Sequence, residues 1–127
     1  MADLFLIDTD VLIDYLRGQA DAAAYLEGLT ERLLMSVITQ AELYAGVREG
    51  AERSTLDAIV SIFERVDVNP EIARIGGLFR RDFGKSQGVG FADALIAATA
   101  EYRNATLVTL NKKHFPMLEN VIVPHTK

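Results

Sequence analysis

The chain reads as an α/β protein, a parallel sheet flanked by helices, and three observations lead there. Short apolar, β-prone runs recur at residues 4–7, 33–37, 66–68, 106–110 and 121–123. Stretches with helical spacing lie between them, the alternation expected of parallel sheets. Three carboxylates, Asp8, Glu42 and Asp93, stand where an apolar run ends or a helical pattern begins, and open parallel sheets gather their ligand-binding side chains beyond the carboxyl ends of strands.

Leu4-Phe5-Leu6-Ile7 forms the first expected strand, closed by Asp8. A helix over 11–16 ending at Gly18 should follow, then a second over 22–26 capped by Asp21. After the 33–37 strand, Thr39-Gln40-Ala41-Glu42 opens a helix that runs to Val47, ahead of a break at Gly50. Leu56, Ile59, Val60 and Phe63 repeat at helical spacing behind Ser54 and Thr55. Beyond the 66–68 strand, Asn69 and Pro70 are a cap and a first-turn proline for a helix through Ile72, Ile75 and Phe79. Gly76 and Gly77 inside that helix cost about 1 kcal/mol each relative to alanine, so close packing or a bend is expected there.

Residues 85–90, Lys85-Ser86-Gln87-Gly88-Val89-Gly90, read as a flexible loop whose glycine-rich backbone can approach phosphate near the next helix start. The 91–102 stretch is almost wholly apolar with five alanines, as suits a helix buried against the sheet. The 106–110 and 121–123 strands complete the set. No repeat, low-complexity tract or linker divides the chain, so residues 1–127 are read as one domain.

Half the residues are hydrophobic, 24% are charged and the formal net charge is -5, which describes a folded acidic protein rather than a disordered one. Nucleic-acid binders are usually basic, so any such role must rest on a local basic patch, a bound metal or a basic partner. The absence of cysteine excludes disulfides and thiolate-held zinc. Met1-Ala2-Asp3 offers no basic n-region, and the run at 4–7 is too short for a signal peptide or a membrane span. A cytoplasmic location without membrane contact is expected.

Asp93 is the only charge in Phe91-Ala92-Asp93-Ala94-Leu95-Ile96-Ala97-Ala98, with no Lys, Arg or His within a helical turn. An ionised carboxylate in such surroundings costs several kcal/mol unless a cation or strong donors meet it. Mg²⁺ and Mn²⁺ prefer oxygen ligands of this kind, and such ions promote phosphodiester hydrolysis by activating water and neutralising phosphoryl charge. Each acid also has a plainer role. Thr39-x-x-Glu42 fits a capping box, Asp8 and Asp10 fit N-caps, and Asp93 fits the positive end of a helix dipole.

Four strings occur in order: Leu6-Ile7-Asp8-Thr9-Asp10-Val11-Leu12-Ile13, Ser36-Val37-Ile38-Thr39-Gln40-Ala41-Glu42-Leu43-Tyr44-Ala45-Gly46, Ala92-Asp93-Ala94-Leu95-Ile96-Ala97-Ala98-Thr99-Ala100, and Val108-Thr109-Leu110-Asn111-Lys112-Lys113-His114-Phe115. Together they closely resemble the PIN-domain family, specifically VapC toxins of toxin-antitoxin systems, from end to end. The resemblance implies a three-layer α/β/α, Rossmann-like fold and a metal-dependent endoribonuclease. It implies a homodimer silenced by a VapB-type antitoxin, with operator DNA bound only through that antitoxin, and tRNA or rRNA as substrate.

Asp8, Glu42 and Asp93 match the family's core acidic positions, as catalytic residues and ligands of Mg²⁺, with Mn²⁺ as substitute. Asp10 stands where the motif often has Asn, and is a second-tier candidate. Where the family often carries a fourth acid this chain has His114, also second-tier, which fits a substrate-phosphate contact, a weak metal ligand or, as favoured here beside Lys112 and Lys113, a solvated loop histidine. Asn111 is the better candidate there, its amide oxygen able to hold a metal-bound water and Thr109 able to orient it. Arg17, Arg48, Arg80, Arg81, Lys85, Lys112 and Lys113 are candidates for RNA contact, although each alone reads as a solvated charge. Leu12, Tyr15, Leu16 and Tyr25 are candidates for dimer or partner contacts, and His125 is read as incidental.

Two other functions fit parts of the chain. A phosphoacceptor signalling domain shares the length and an acidic Mg²⁺ pocket, but it needs an acceptor Asp after the middle strand and a Lys after the last. Asp67 lies inside Val66-Asp67-Val68, and Val121-Ile122-Val123-Pro124 has no Lys. A catalytically weak scaffold acting through its antitoxin fits the missing fourth acid. An acidic pocket would favour a basic antitoxin segment, whose Arg could displace the metal.

Overall fold

The computed structural model describes residues 3–125. Among these, five strands alternate with helices: β1 (Leu4–Ile7), α1 (Thr9–Leu16), α2 (Ala20–Glu27), β2 (Arg32–Ser36), α3 (Val37–Ala45), α4 (Ala51–Ile62), β3 (Glu64–Val66), α5 (Pro70–Gln87), α6 (Phe91–Arg103), β4 (Thr106–Val108) and β5 (Val121–Ile122). A single 3-10 turn, Lys112–His114, lies between β4 and β5. The strands form one sheet in the order β3-β2-β1-β4-β5, every neighbouring pair parallel. Strand order reverses at β1, so the gap between β1 and β4 is where a ligand crevice is expected.

Strand alternation divides the core in two. Ile7, Met35 and Val108 pack with Val11, Leu43, Leu56 and Val60 on the α1 to α4 side. Leu6, Leu34 and Leu107 pack with Ile72, Ile96 and Phe115 on the α5 and α6 side. Successive strand residues thus serve opposite faces, and both faces are covered, which is the three-layer α/β/α arrangement expected. No helix among the described residues is long and apolar enough to cross a membrane.

Helix boundaries follow local chemistry more than the apolar runs did. α3 begins at Val37, because the Ser36 hydroxyl accepts from the Ile38 N–H at 3.0 Å. Thr39 therefore lies inside the helix, fully buried, and the expected capping box does not form. Gln19 caps α2 through the Ala22 N–H, leaving Asp21 in the first turn instead of at the cap. α4 starts at Ala51, straight after Gly50 at φ 97°, so Ser54 and Thr55 are within it. β3 lies at 64–66 rather than 66–68, because Asn69 caps α5 through the Ile72 N–H and the chain must turn before it.

The expected loop at 85–90 is the largest departure. α5 continues to Gln87 and ends on Gly88, whose left-handed backbone returns its N–H to the Gly84 carbonyl at 3.1 Å. Only residues 88–90 connect α5 to α6. Gly76 is a close approach as expected: a Cβ there would lie 2.6 Å from Leu95 Cδ2 and 3.3 Å from Leu95 Cα on α6. Gly77 faces open space. Leu12 is core, not surface, and Tyr15, Leu16 and Tyr25 are half-buried against the same cluster.

Candidate metal centre

Asp8 leaves the carboxyl end of β1 and caps α1, at the strand-order reversal. Its Oδ1 accepts from the Thr9 N–H at 2.8 Å and its Oδ2 from the Thr109 hydroxyl at 2.7 Å. Thr109 follows β4 directly, so the neighbouring strands join through this pair. Asp8 is buried, and no Lys or Arg is among its partners in the described residues. Burial first, then Asp10, pushes its carboxyl up from 3.8 to about 7, with a smaller push from Asp93, against the lowering effect of Thr109 and Thr9.

Glu42 enters from the middle of α3 and is exposed. The Thr9 hydroxyl donates to its Oε1 at 2.7 Å and lies 3.1 Å from the Thr39 hydroxyl. Asp93, in the first turn of α6, is half-buried and raised by burial above all, then by Glu42 and Asp10, while His114 counteracts. Glu42, Asp10 and Asp93 therefore share a field, although 51 residues separate Glu42 from Asp93 (93 − 42).

His114 is exposed, as the solvated-loop reading expects, yet it has a partner. Its Nδ1 is 3.3 Å from Asp93 Oδ2, because the 3-10 turn folds back over the start of α6. Asp10 latches the same turn: its Oδ2 accepts from the Leu110 N–H at 3.1 Å and from the Asn111 side-chain amide at 2.9 Å. The amide of Asn111 is thus engaged with Asp10, and its backbone N–H donates to the Thr109 hydroxyl at 3.1 Å. Thr9 and Thr39 are positioning groups that sequence reasoning missed. Their signal was local, a hydroxyl residue directly after Asp8 and another three positions before Glu42.

The basic candidates scatter. Arg17 lines a shallow depression with Glu42 between α1 and α3. Lys112 and Lys113 are exposed on the turn that carries His114. Arg81 pairs with Asp82 at 2.8 Å, Arg48 lies between α3 and α4, and Lys85 is exposed in the last turn of α5. Arg80 lies over the Phe91 ring. Asp67, the acceptor a signalling domain would need, is exposed just past β3 at the sheet edge, two strands from β1. His125, read as incidental to function, has a buried side chain 3.3 Å from Asp14.

The donor set suits a hard divalent cation. Asp8, Asp10, Glu42 and Asp93 supply only oxygen, and Asp8 and Asp93 are both raised, by burial first and also by neighbouring carboxylates, Asp10 for both. Among the described residues no three His, Asp or Glu side chains already stand in coordinating positions. Glu42 is held by Thr9 and Asp93 by His114 instead.

The PIN domain family profile matches residues 5–118. Ribonuclease VapC19 of Mycobacterium tuberculosis is 41% identical over 124 residues, covering 94% of this chain and 98% of its own length. A toxin-antitoxin complex from Klebsiella pneumoniae superposes with a TM-score of 0.83 at 27% identity, covering 96% of this chain and 98% of the other. VapBC2 from Rickettsia felis, bound to a DNA fragment from its promoter, superposes with a TM-score of 0.77 at 29% identity, covering 94% and 96%.

Proposed function

Because the chain belongs to the PIN-domain family, we propose that it is a VapC-type toxin, a metal-dependent endoribonuclease that hydrolyses phosphodiester bonds of tRNA or rRNA. The observation that carries this reading is Asp8: a buried carboxylate at the strand-order reversal, flanked by further acids and without a Lys or Arg partner among the described residues. Asp8, Glu42 and Asp93 are the residues that would hold Mg²⁺, or Mn²⁺ in its place. When bound, the ion supplies Lewis acidity, lowering the pKa of water and neutralising charge on the phosphodiester.

The chain's own residues supply the rest. Thr109 and the Thr9 N–H fix the Asp8 carboxylate, so its orientation is set before substrate arrives. The Thr9 hydroxyl restrains Glu42 toward the same pocket. Asp10 anchors the 3-10 turn, which keeps His114 beside Asp93 and presents Lys112 and Lys113 to a polyanion. Products with 5′-phosphate and 3′-hydroxyl ends are expected.

The VapBC complexes among the structural relatives support a VapB-type antitoxin as partner, with operator DNA reached through it. We infer a cytoplasmic homodimer. A basic antitoxin segment suits the acidic pocket.

The experiment is the thermal midpoint of partner-free protein against Mn²⁺ concentration, wild type beside Asp93→Asn. A ligand of the folded state alone raises stability with concentration. A saturable rise lost in the variant is expected; flat curves for both would sink the metal-dependent reading and favour an inactive scaffold.

A further inference from the structure

α6 begins with a ring that the core does not use. Phe91 is 62% exposed and shares with Leu95 the side of α6 that faces α5, about 200° around the helix from Asp93. Arg80 reaches across from α5 and sets its guanidinium over the ring, with Cζ 5.4 Å from the centroid. Gly84, one helical turn further along α5, makes room for this. A Cβ there would collide with Arg80 Nη1 and stand 2.9 Å from Cζ. The Arg80 Nε is buried with no hydrogen-bond partner among the described residues, an unmet donor that costs stability.

We propose that Phe91 and Arg80 form a stacking platform for an unpaired nucleobase of the bound RNA strand, at the α5 side of α6, with Arg80 also meeting the strand's backbone charge. This rests on the ribonuclease reading. Exposed aromatic rings and guanidinium planes are the surfaces on which single-stranded bases stack. A cation on the ring suits a polyanion. It disfavours the basic segment expected of an antitoxin, so the platform is assigned to RNA.

The test is fluorescence anisotropy of a short single-stranded RNA of random sequence in Ca²⁺, which separates binding from the choice of cleavage target. Phe91→Ala and Phe91→Leu should weaken binding about 5- to 100-fold, while Phe91→Trp retains it. Gly84→Ala, which displaces the guanidinium without removing it, should also weaken binding with no fall in the thermal midpoint. Wild-type binding by Phe91→Leu or by Gly84→Ala overturns the platform and leaves the ribonuclease reading standing. If the wild type binds no RNA, both are overturned.

Discussion

The Thr109 hydroxyl donates to Asp8 Oδ2 at 2.7 Å across a sequence separation of 101 residues. One hydrogen bond thus joins the ends of β1 and β4 and orients the central carboxylate. Thr109→Val keeps the shape but leaves a buried carboxylate one donor short, a loss of about 1–3 kcal/mol. The deficit should appear in urea unfolding above pH 7, shrink in acid, and be absent in Thr109→Ser. Equal deficits at both pH values would make the contact a packing effect.

Thr9 holds Glu42 and approaches Thr39, yet is not itself one of the expected metal ligands. Groups that orient ligands in this way typically change metal affinity by 10- to 100-fold. Thr9→Val should weaken Mn²⁺ binding by about that factor, read by calorimetry, while the metal-free thermal midpoint moves little. Unchanged affinity would mean that Glu42 needs no restraint.

Asp8 makes metal-free stability depend on pH with a definite sign. Its folded value, about 7, lies above the unfolded 3.8, so the folded state holds the proton more tightly. That contribution is complete below pH 4 and is lost as pH rises to about 7; Asp93 is raised too and adds the same sign. Exposed Asp57, Glu64, Glu71 and Asp82 are lowered by their partners and act oppositely at lower pH. The difference in stability between wild type and Asp8→Asn should therefore shift against the wild type from pH 4 to 7. A difference curve flat across that window would refute the shared burial of the acids.

The paired glycines of α5 should respond in opposite directions. Gly76→Ala forces a methyl against Leu95, so about 1–3 kcal/mol of overpacking outweighs the gain in helix propensity. Gly77→Ala meets nothing and should stabilise by up to about 1 kcal/mol. Denaturant midpoints of the two variants check this, and a stable Gly76→Ala would mean that α5 and α6 can part at little cost.

Much of this was legible before the structure. The strand runs placed every strand to within a few residues, and Asp8 was legible at the end of β1 because a parallel sheet collects such positions at one edge. What escaped depended on individual hydrogen bonds. Ser36 moved the start of α3 back into the apparent strand, and Lys85-Ser86-Gln87 looked like loop although α5 carries them to a left-handed Gly88. The contact of His114 was hidden because its partner, Asp93, is 21 residues away (114 − 93). Thr9 was visible only as a neighbour of Asp8, since its contact with Glu42 depends on how α1 and α3 pack.

The placement of β4 also sets a clock. Asp8 is made early, but Thr109 and the turn that Asp10 anchors are made a hundred residues later. At about 5–20 residues per second, a growing chain spends roughly 5–20 s with its first acid and no completed pocket. Contacts of such sequence separation are also slow to form once the chain is available. A nascent or truncated chain ending before residue 109 would therefore be harmless to RNA, so any partner that must restrain this protein has that interval in which to meet it.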